Sequence, residues 1–142
     1  MIRESNSVEE TEAIAAELSA TWVGGECVAL HGDLGAGKTQ FVRGLVRGLG
    51  GNTRSVSSPT FMLLNIYDTG RLTVYHLDAY RVHGSDDFES IGFSELLEQK
   101  GVVVVEWASR VEELIPVNHT RVTIETLDET RRRIEVSGSP PP

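Results

Sequence analysis

Residues 32–39 read Gly-Asp-Leu-Gly-Ala-Gly-Lys-Thr, a complete G-x-x-x-x-G-K-[ST] pattern. The chemistry those residue types support is phosphate binding. Glycines let successive backbone N–H groups turn toward one anion, and a following helix N-terminus adds a favourable dipole. Asp33, Leu34, Gly35, Ala36 and Gly37 would form the cradle for a nucleotide's phosphates, and the loop alone does not say which nucleotide. Lys38 would reach the β- and γ-phosphates, and the Thr39 hydroxyl would ligate Mg²⁺. A plain turn between a strand and a helix needs neither the lysine nor the hydroxyl. The motif also has the setting it demands, between the apolar Val28-Ala29-Leu30 and a helical pattern over 39–49.

Hydrolysis at such a loop requires a carboxylate near the metal, a means of placing water, and a segment that senses the γ-phosphate. Two carboxylates fall at predicted strand C-terminal ends, the usual ligand edge of an α/β sheet. They are Asp78 in Tyr75-His76-Leu77-Asp78-Ala79-Tyr80-Arg81, and Glu106 directly after four valines. A carboxylate ending so apolar a run faces desolvation unless it meets a metal, a cation or water. Spacing leaves open which of the two binds metal and which orients water. Ser57-Ser58-Pro59-Thr60-Phe61 is the candidate sensor, with Pro59 holding Ser58 extended; ordinary turn chemistry explains the same residues. His31 and His76 lack metal-ligand spacing and read as structural. Trp107 would stack on a nucleotide or partner, or cover the sheet edge. Arg81 and Arg110 are candidate charge stabilisers or surface ion-pair residues.

The elements that must position these groups are legible as a pattern. A capping box, Ser7-Val8-Glu9-Glu10, opens a helix over 8–22 with Val8, Thr11, Ala15, Leu18 and Trp22 at helical spacing. A strand over 26–30 feeds the loop. The helix after it carries Phe41, Val42, Leu45, Val46 and Leu49 on one face and stops at Gly50-Gly51. Runs over 61–67 and 72–77 flank four turn residues and predict an antiparallel hairpin. Residues 84–100 turn amphipathic around Phe93, Leu96 and Leu97. Val102 to Val105 form a strand covered on both faces. A short helix over 111–115 and a second hairpin, 121–127 with 131–136, complete the chain. The expected fold is a phosphate-loop, three-layer α/β domain over 1–136 with a central mixed sheet, followed by a tail over 137–142.

With 142 residues, one domain can bury about two-thirds of its unfolded-chain surface. The single Cys27 allows no internal disulfide and suits a cytoplasmic setting. No apolar run approaches a membrane span, and the N-terminus carries no signal-peptide core, so no membrane association is expected. A net charge of −8 argues against a broad nucleic-acid surface; Arg131-Arg132-Arg133 is too small a basic cluster to offset it.

Four segments occur in order: the 32–39 loop, Ser58-Pro59-Thr60-Phe61, His76-Leu77-Asp78-Ala79-Tyr80-Arg81, and Val105-Glu106-Trp107. Together they closely resemble the bacterial TsaE family, the small ATPase of tRNA threonylcarbamoyladenosine biosynthesis. The resemblance covers nearly the whole chain. It implies a Mg²⁺-dependent ATPase that works with the TsaD and TsaB proteins and meets tRNA indirectly through that complex. It assigns phosphate contact to Lys38 and metal contact to Thr39, and makes Ser58, Pro59 and Thr60 a switch-like loop. Asp78 matches a Walker-B-like carboxylate, and Glu106 with Trp107 a second switch whose glutamate lies at the metal site. Lys38, Thr60, Asp78 and Glu106 are thereby the expected catalytic group. Ser7, Thr11, Arg131 and Arg132 lie where the family builds part of its adenine pocket. One departure is Gln40, at a position commonly a second threonine.

Two other classes fit the loop. A small metabolite kinase would need an arginine-bearing lid, and 84–100, long enough to be one, contains no arginine. A non-hydrolysing ATP-gated binding module would use nucleotide only to order residues 57–60. GTP is disfavoured because no Asn-Lys-x-Asp segment is present.

Overall fold

The computed structural model describes residues 1–33, 35–56, 64–80, 82 and 85–138. The candidate residues Leu34, Ser58, Pro59 and Thr60, together with Ser57, Phe61 and Arg81, lie outside them. The strands are β1 (Ile2–Ser5), β2 (Cys27–Gly32), β3 (Leu64–Asp68), β4 (Thr73–Asp78), β5 (Val102–Glu106), β6 (Thr120–Thr126) and β7 (Arg132–Gly138). The helices are α1 (Val8–Ser19), α2 (Lys38–Gly48), α3 (Ser85–Ser90) and α4 (Phe93–Glu98), with 3₁₀ segments at Thr53–Ser55 and Ala108–Leu114.

One sheet runs β1-β7-β6-β2-β5-β4-β3. Its centre, β6-β2-β5-β4, is parallel; β3 and β7 are antiparallel to their inner neighbours, and β1 is antiparallel to β7. The expected three-layer α/β domain with a mixed sheet is therefore what forms. β5 lies in the middle of the parallel part, and all five of its residues are buried, as an uninterrupted valine run requires. Period-2 alternation sends Val102 and Val104 to one face and Val103 and Val105 to the other. The first face is covered by α1 and α2 through Ile14, Ala15, Phe41 and Leu45. The second is covered by Phe88 of α3, Phe93 of α4, and Ala108 and Val111 of the 3₁₀ segment.

The local signals explain the element ends. Ser7 Oγ accepts from the Glu10 N–H at 3.1 Å, the first half of the expected capping box, while Glu10 Oε2 reaches one residue past the N-cap to accept from the Asn6 N–H at 2.7 Å. α1 stops at Ser19, short of the expected 22, and Trp22 enters the core from the turn beyond it. Val8, counted in the apolar stripe, is half-exposed instead. α2 ends as predicted: Gly50, at φ 90°, donates to Arg47 O and Gly51 donates to Val46 O, both at 2.9 Å. Within the segment expected over 84–100, the described residues form two short helices, α3 and α4, separated at Gly92, whose φ is 86°. β7 continues through Ser137 and Gly138, two residues into the stretch expected as tail; the tail's last four residues lie outside the described ones.

α1 and α2 meet through glycine. A Cβ on Gly44 would stand 2.3 Å from the Glu12 carbonyl and 2.6 Å from the Ala15 Cβ; Gly48 approaches Ala16 O and Ser19 Oγ as closely. Helix propensity favours Ala over Gly by about 1 kcal/mol, but forcing the helices apart costs typically 1–3 kcal/mol, and the near contact is backbone that cannot rotate away. Gly44→Ala is therefore predicted to lower stability by about 1 kcal/mol or more in urea unfolding, whereas propensity alone predicts a gain. The fully packed Cys27 thiol is pushed up to about 12 by burial, so it stays protonated and unreactive. Ellman's reagent at pH 8 should leave it untouched in the native protein and modify it on unfolding.

Candidate functional site

Two helices of one layer begin differently. α1 is capped by Ser7 and carries Glu9 and Glu10 in its first turn. α2 begins at Gly37 with no side-chain cap and no acidic residue in its first turn. Its positive end and first-turn N–H groups thus face the loop without internal compensation. Gly35 (φ 79°) and Gly37 (φ 106°) hold left-handed conformations that a side chain would resist. Gly32 serves another purpose: a Cβ there would lie 2.9 Å from the Ile124 carbonyl of β6.

Lys38, first residue of α2, is only 6% exposed. Its Nζ donates to the Gly32 carbonyl at 2.7 Å and sits 3.8 Å from the centre of the Trp107 ring. Burial lowers its pKa; the charges of Glu106, Asp78 and Asp33 act in the opposite sense. Trp107 reaches this place because it follows β5 in a left-handed conformation (φ 56°, ψ 40°). For a bulky non-glycine residue that costs on the order of 1–2 kcal/mol, and such strain collects at functional sites. The Trp107 ring packs tilted against Tyr80 at 4.9 Å, and the Arg110 guanidinium lies 5.5 Å from the Tyr80 ring centre. Trp107 therefore covers the loop lysine and does not merely cap the sheet edge.

Asp78 and Glu106 end β4 and β5 in direct register, and Glu106 is also in register with Leu30 of β2. Alternation puts both carboxylates on the α2 face, with Val74, His76, Val102 and Val104. They are 7% and 3% exposed. Burial raises the Asp78 pKa; the Tyr80 N–H, donating to Oδ1 at 2.8 Å, opposes that, and the neighbouring Glu106 reinforces it. Glu106 Oε2 accepts from His76 Nε2. The structure thus brings together Lys38, Asp78, Glu106 and Trp107, with Thr39 next along α2. The described residues hold no group of three or more His, Cys, Asp and Glu side chains fit for a metal. A hydroxyl and two carboxylates instead suit Mg²⁺, which keeps waters and takes few protein oxygens.

Beside the loop, a pocket of about 310 Å³ opens between Gly35, Ala36 and Gly37, the start of α1 at Val8 and Thr11, and Arg132. Ser7 and Thr11, the two helix-start residues that the resemblance assigns to an adenine pocket, both line this one, and the Thr11 hydroxyl shares a 2.7 Å hydrogen bond with Ser5 Oγ. Val8, half-exposed, forms part of the wall. Arg131 is not a lining residue. It binds Asp128 Oδ2 at 2.6 Å and Glu4 at 3.1 Å, and its Nε and N–H bonds hold the Asp128 carboxyl down to about 2. Arg132 takes the pocket position, donating from Nε to Ala36 O at 3.0 Å and from Nη2 to Gly35 O at 3.4 Å. Gln40, Asn6, Glu129 and Thr130 also line it, and only the departure at Gln40 drew attention in the sequence. His31, expected as structural, borders a second cleft with Asp33, Trp107 and Thr123.

A three-layer α/β domain whose glycine-rich strand–loop–helix faces two carboxylates at adjoining strand ends is the class defined so far. The family model described as Threonylcarbamoyl adenosine biosynthesis protein TsaE matches residues 5–134. The chain belongs to the TsaE family. It is 42% identical over 126 residues to the tRNA threonylcarbamoyladenosine biosynthesis protein TsaE of Bacillus subtilis, covering 89% of this chain and 78% of that one. It is 39% identical over 133 residues to the protein of that name from Treponema pallidum, covering 94% and 97%. A crystal structure of Bacillus subtilis YdiB superposes with a TM-score of 0.80 at 33% identity, covering 97% of this chain and 84% of that one. No helix among the described residues is long and apolar enough to cross a membrane.

The two arginines make a local prediction. Arg132→Ala should speed hydrogen exchange at Ala36, whose N–H donates to the Asp33 carbonyl at 3.0 Å, about tenfold by removing a charge-assisted tether of roughly 1.5 kcal/mol from the loop. Arg131→Ala should leave that amide unchanged; equal effects would deny Arg132 its tie to the loop.

Proposed function

We propose that this chain is a Mg²⁺-dependent ATPase and accessory subunit of tRNA threonylcarbamoyladenosine modification, acting in the cytoplasm with the TsaD–TsaB complex. The observation that carries this reading is the buried Lys38 beside the paired Asp78 and Glu106, at the uncapped start of α2. Burying one ammonium and two carboxylates together is costly, and a core needs none of them. Such an arrangement suits a ligand that brings both negative oxygens and a cation. Mg²⁺, held by Thr39 and one or both carboxylates, would neutralise charge across the β- and γ-phosphates when bound.

The chain's own residues supply the rest. Loop N–H groups and Lys38 stabilise charge developing on the phosphates, with the Gly32 carbonyl giving up the ammonium to them. Asp78 and Glu106 organise the attacking water. Trp107 excludes bulk water from the lysine, which strengthens its electrostatics. Thr11 and Arg132 border the pocket that would take the base, and Ser58, Pro59 and Thr60 would sense the γ-phosphate. The kinase alternative loses ground. Phe88 and Phe93, from the segment long enough for a lid, are both 0% exposed and anchor it to the opposite face of the sheet. Contact with tRNA is left to the partner proteins, as a net charge of −8 favours.

Reconstitution with TsaD–TsaB, tRNA and ATP tests this reading. Lys38→Ala should reduce multiple-turnover modification at least about tenfold, as loss of one charge-assisted phosphate contact predicts. Unchanged modification by that variant would refute the assignment. Modification retained by an Asp78→Ala, Glu106→Ala pair, with hydrolysis abolished, would favour an ATP-gated binding module.

A further inference from the structure

We propose that His76, braced by Tyr67, is a positioning residue that fixes the orientation of Glu106. This inference rests on the reading of Glu106 as part of the nucleotide–metal site. His76 is 0% exposed, in the middle of β4, between Val74 and Asp78 on its own strand face and beside the apolar Val102 and Val104 of β5. A buried imidazole is costly unless both ring nitrogens find partners. Both do: Nε2 meets Glu106 Oε2, and Nδ1 lies 3.0 Å from the Tyr67 hydroxyl, itself buried. A carboxylate can only accept, so Nε2–H donates to Glu106. Asn65 Nδ2 donates to the same Tyr67 hydroxyl at 3.4 Å.

The chain of bonds crosses three adjoining strands, β3, β4 and β5, whose registers are fixed by backbone ladders. The orientation of Glu106 is therefore set by the rigid sheet and not by the loop it faces. With Oε2 engaged by His76, Oε1 is the oxygen left to accept from a cation or water in the site. A residue serving only to fill the core would be apolar, because Leu or Phe fills the volume without two desolvated nitrogens. The Tyr67–His76–Glu106 chain is the arrangement by which outer partners commonly aim a metal-binding or catalytic carboxylate.

The test compares His76→Leu, His76→Gln, Tyr67→Phe and Glu106→Gln by the Mn²⁺ affinity of the ATP-bound protein and by ¹⁵N NMR of the nucleotide-free protein. Glu106→Gln should shift the His76 Nε2 resonance. His76→Leu should weaken Mn²⁺ binding about tenfold, the lower end of the usual outer-partner effect. His76→Gln, which keeps an N–H donor near the Nε2 position, should recover to within about threefold of wild type. In the Glu106→Gln background, His76→Leu should add less than about twofold, because the two act as one unit.

Losses that multiply, or a His76→Gln protein as impaired as His76→Leu, overturn the proposal. Should His76→Leu not fold, Tyr67→Phe removes one hydroxyl only and should weaken Mn²⁺ binding about threefold; no change contradicts the bracing role. A wild-type protein that binds no Mg·ATP would overturn the ATPase reading and this inference together. Mg·ATP binding that depends on Lys38, alongside multiplying losses, would overturn this inference alone.

Discussion

The structure depends on keeping an ammonium and two carboxylates out of water at one sheet edge. Lys38, Asp78 and Glu106 are each less than a tenth exposed. An isolated buried charge costs several kcal/mol, and a pair repays this only with good geometry and further hydrogen bonds. Each charge here has such help: the Gly32 carbonyl and the Trp107 ring for Lys38, the Tyr80 N–H for Asp78, and His76 for Glu106. The parallel order β2-β5-β4 makes the cluster possible, because it brings three strand C-terminal ends to one edge.

The remaining elements serve that edge. The antiparallel β6–β7 hairpin lengthens the sheet and delivers Arg132 to the carbonyls of Gly35 and Ala36, tying the loop to a distant part of the chain. α1 lies close on α2 through Gly44 and Gly48. That close packing holds the N-terminal end of α1, with Thr11, beside the loop as a pocket wall. On the far face, α3, α4 and the 3₁₀ segment bury β5 from behind. The valine strand can thus end in a carboxylate without exposing its length to water.

The loop, both carboxylates and the mixed sheet were legible because each has a local signature: glycine spacing ahead of Lys-Thr, a charge ending an apolar run, and turn residues between alternating strands. What escaped the sequence depends on tertiary pairing. β1 is four residues long and mostly exposed, too short and polar to read as a strand, and it forms by pairing with β7. Arg132 could not be told from Arg131 by composition; one is held by Asp128 and Glu4, the other points to the loop. His76 reads as an ordinary core histidine until β3 and β5 place Tyr67 and Glu106 on its two nitrogens. Val8 follows the helical period yet faces a pocket, because periodicity marks an apolar face without saying whether protein or solvent-filled space meets it.

The central claim is that the buried Lys38–Asp78–Glu106 edge is a Mg·nucleotide site, and calorimetric titration of Mg·ATP into the purified chain tests it most directly. The account predicts saturable one-to-one binding that needs Mg²⁺ and falls at least about tenfold in Lys38→Ala, the loss of about 1.4 kcal/mol expected for one charge-assisted contact. Equal affinity in wild type and Lys38→Ala, or binding indifferent to Mg²⁺, would contradict it.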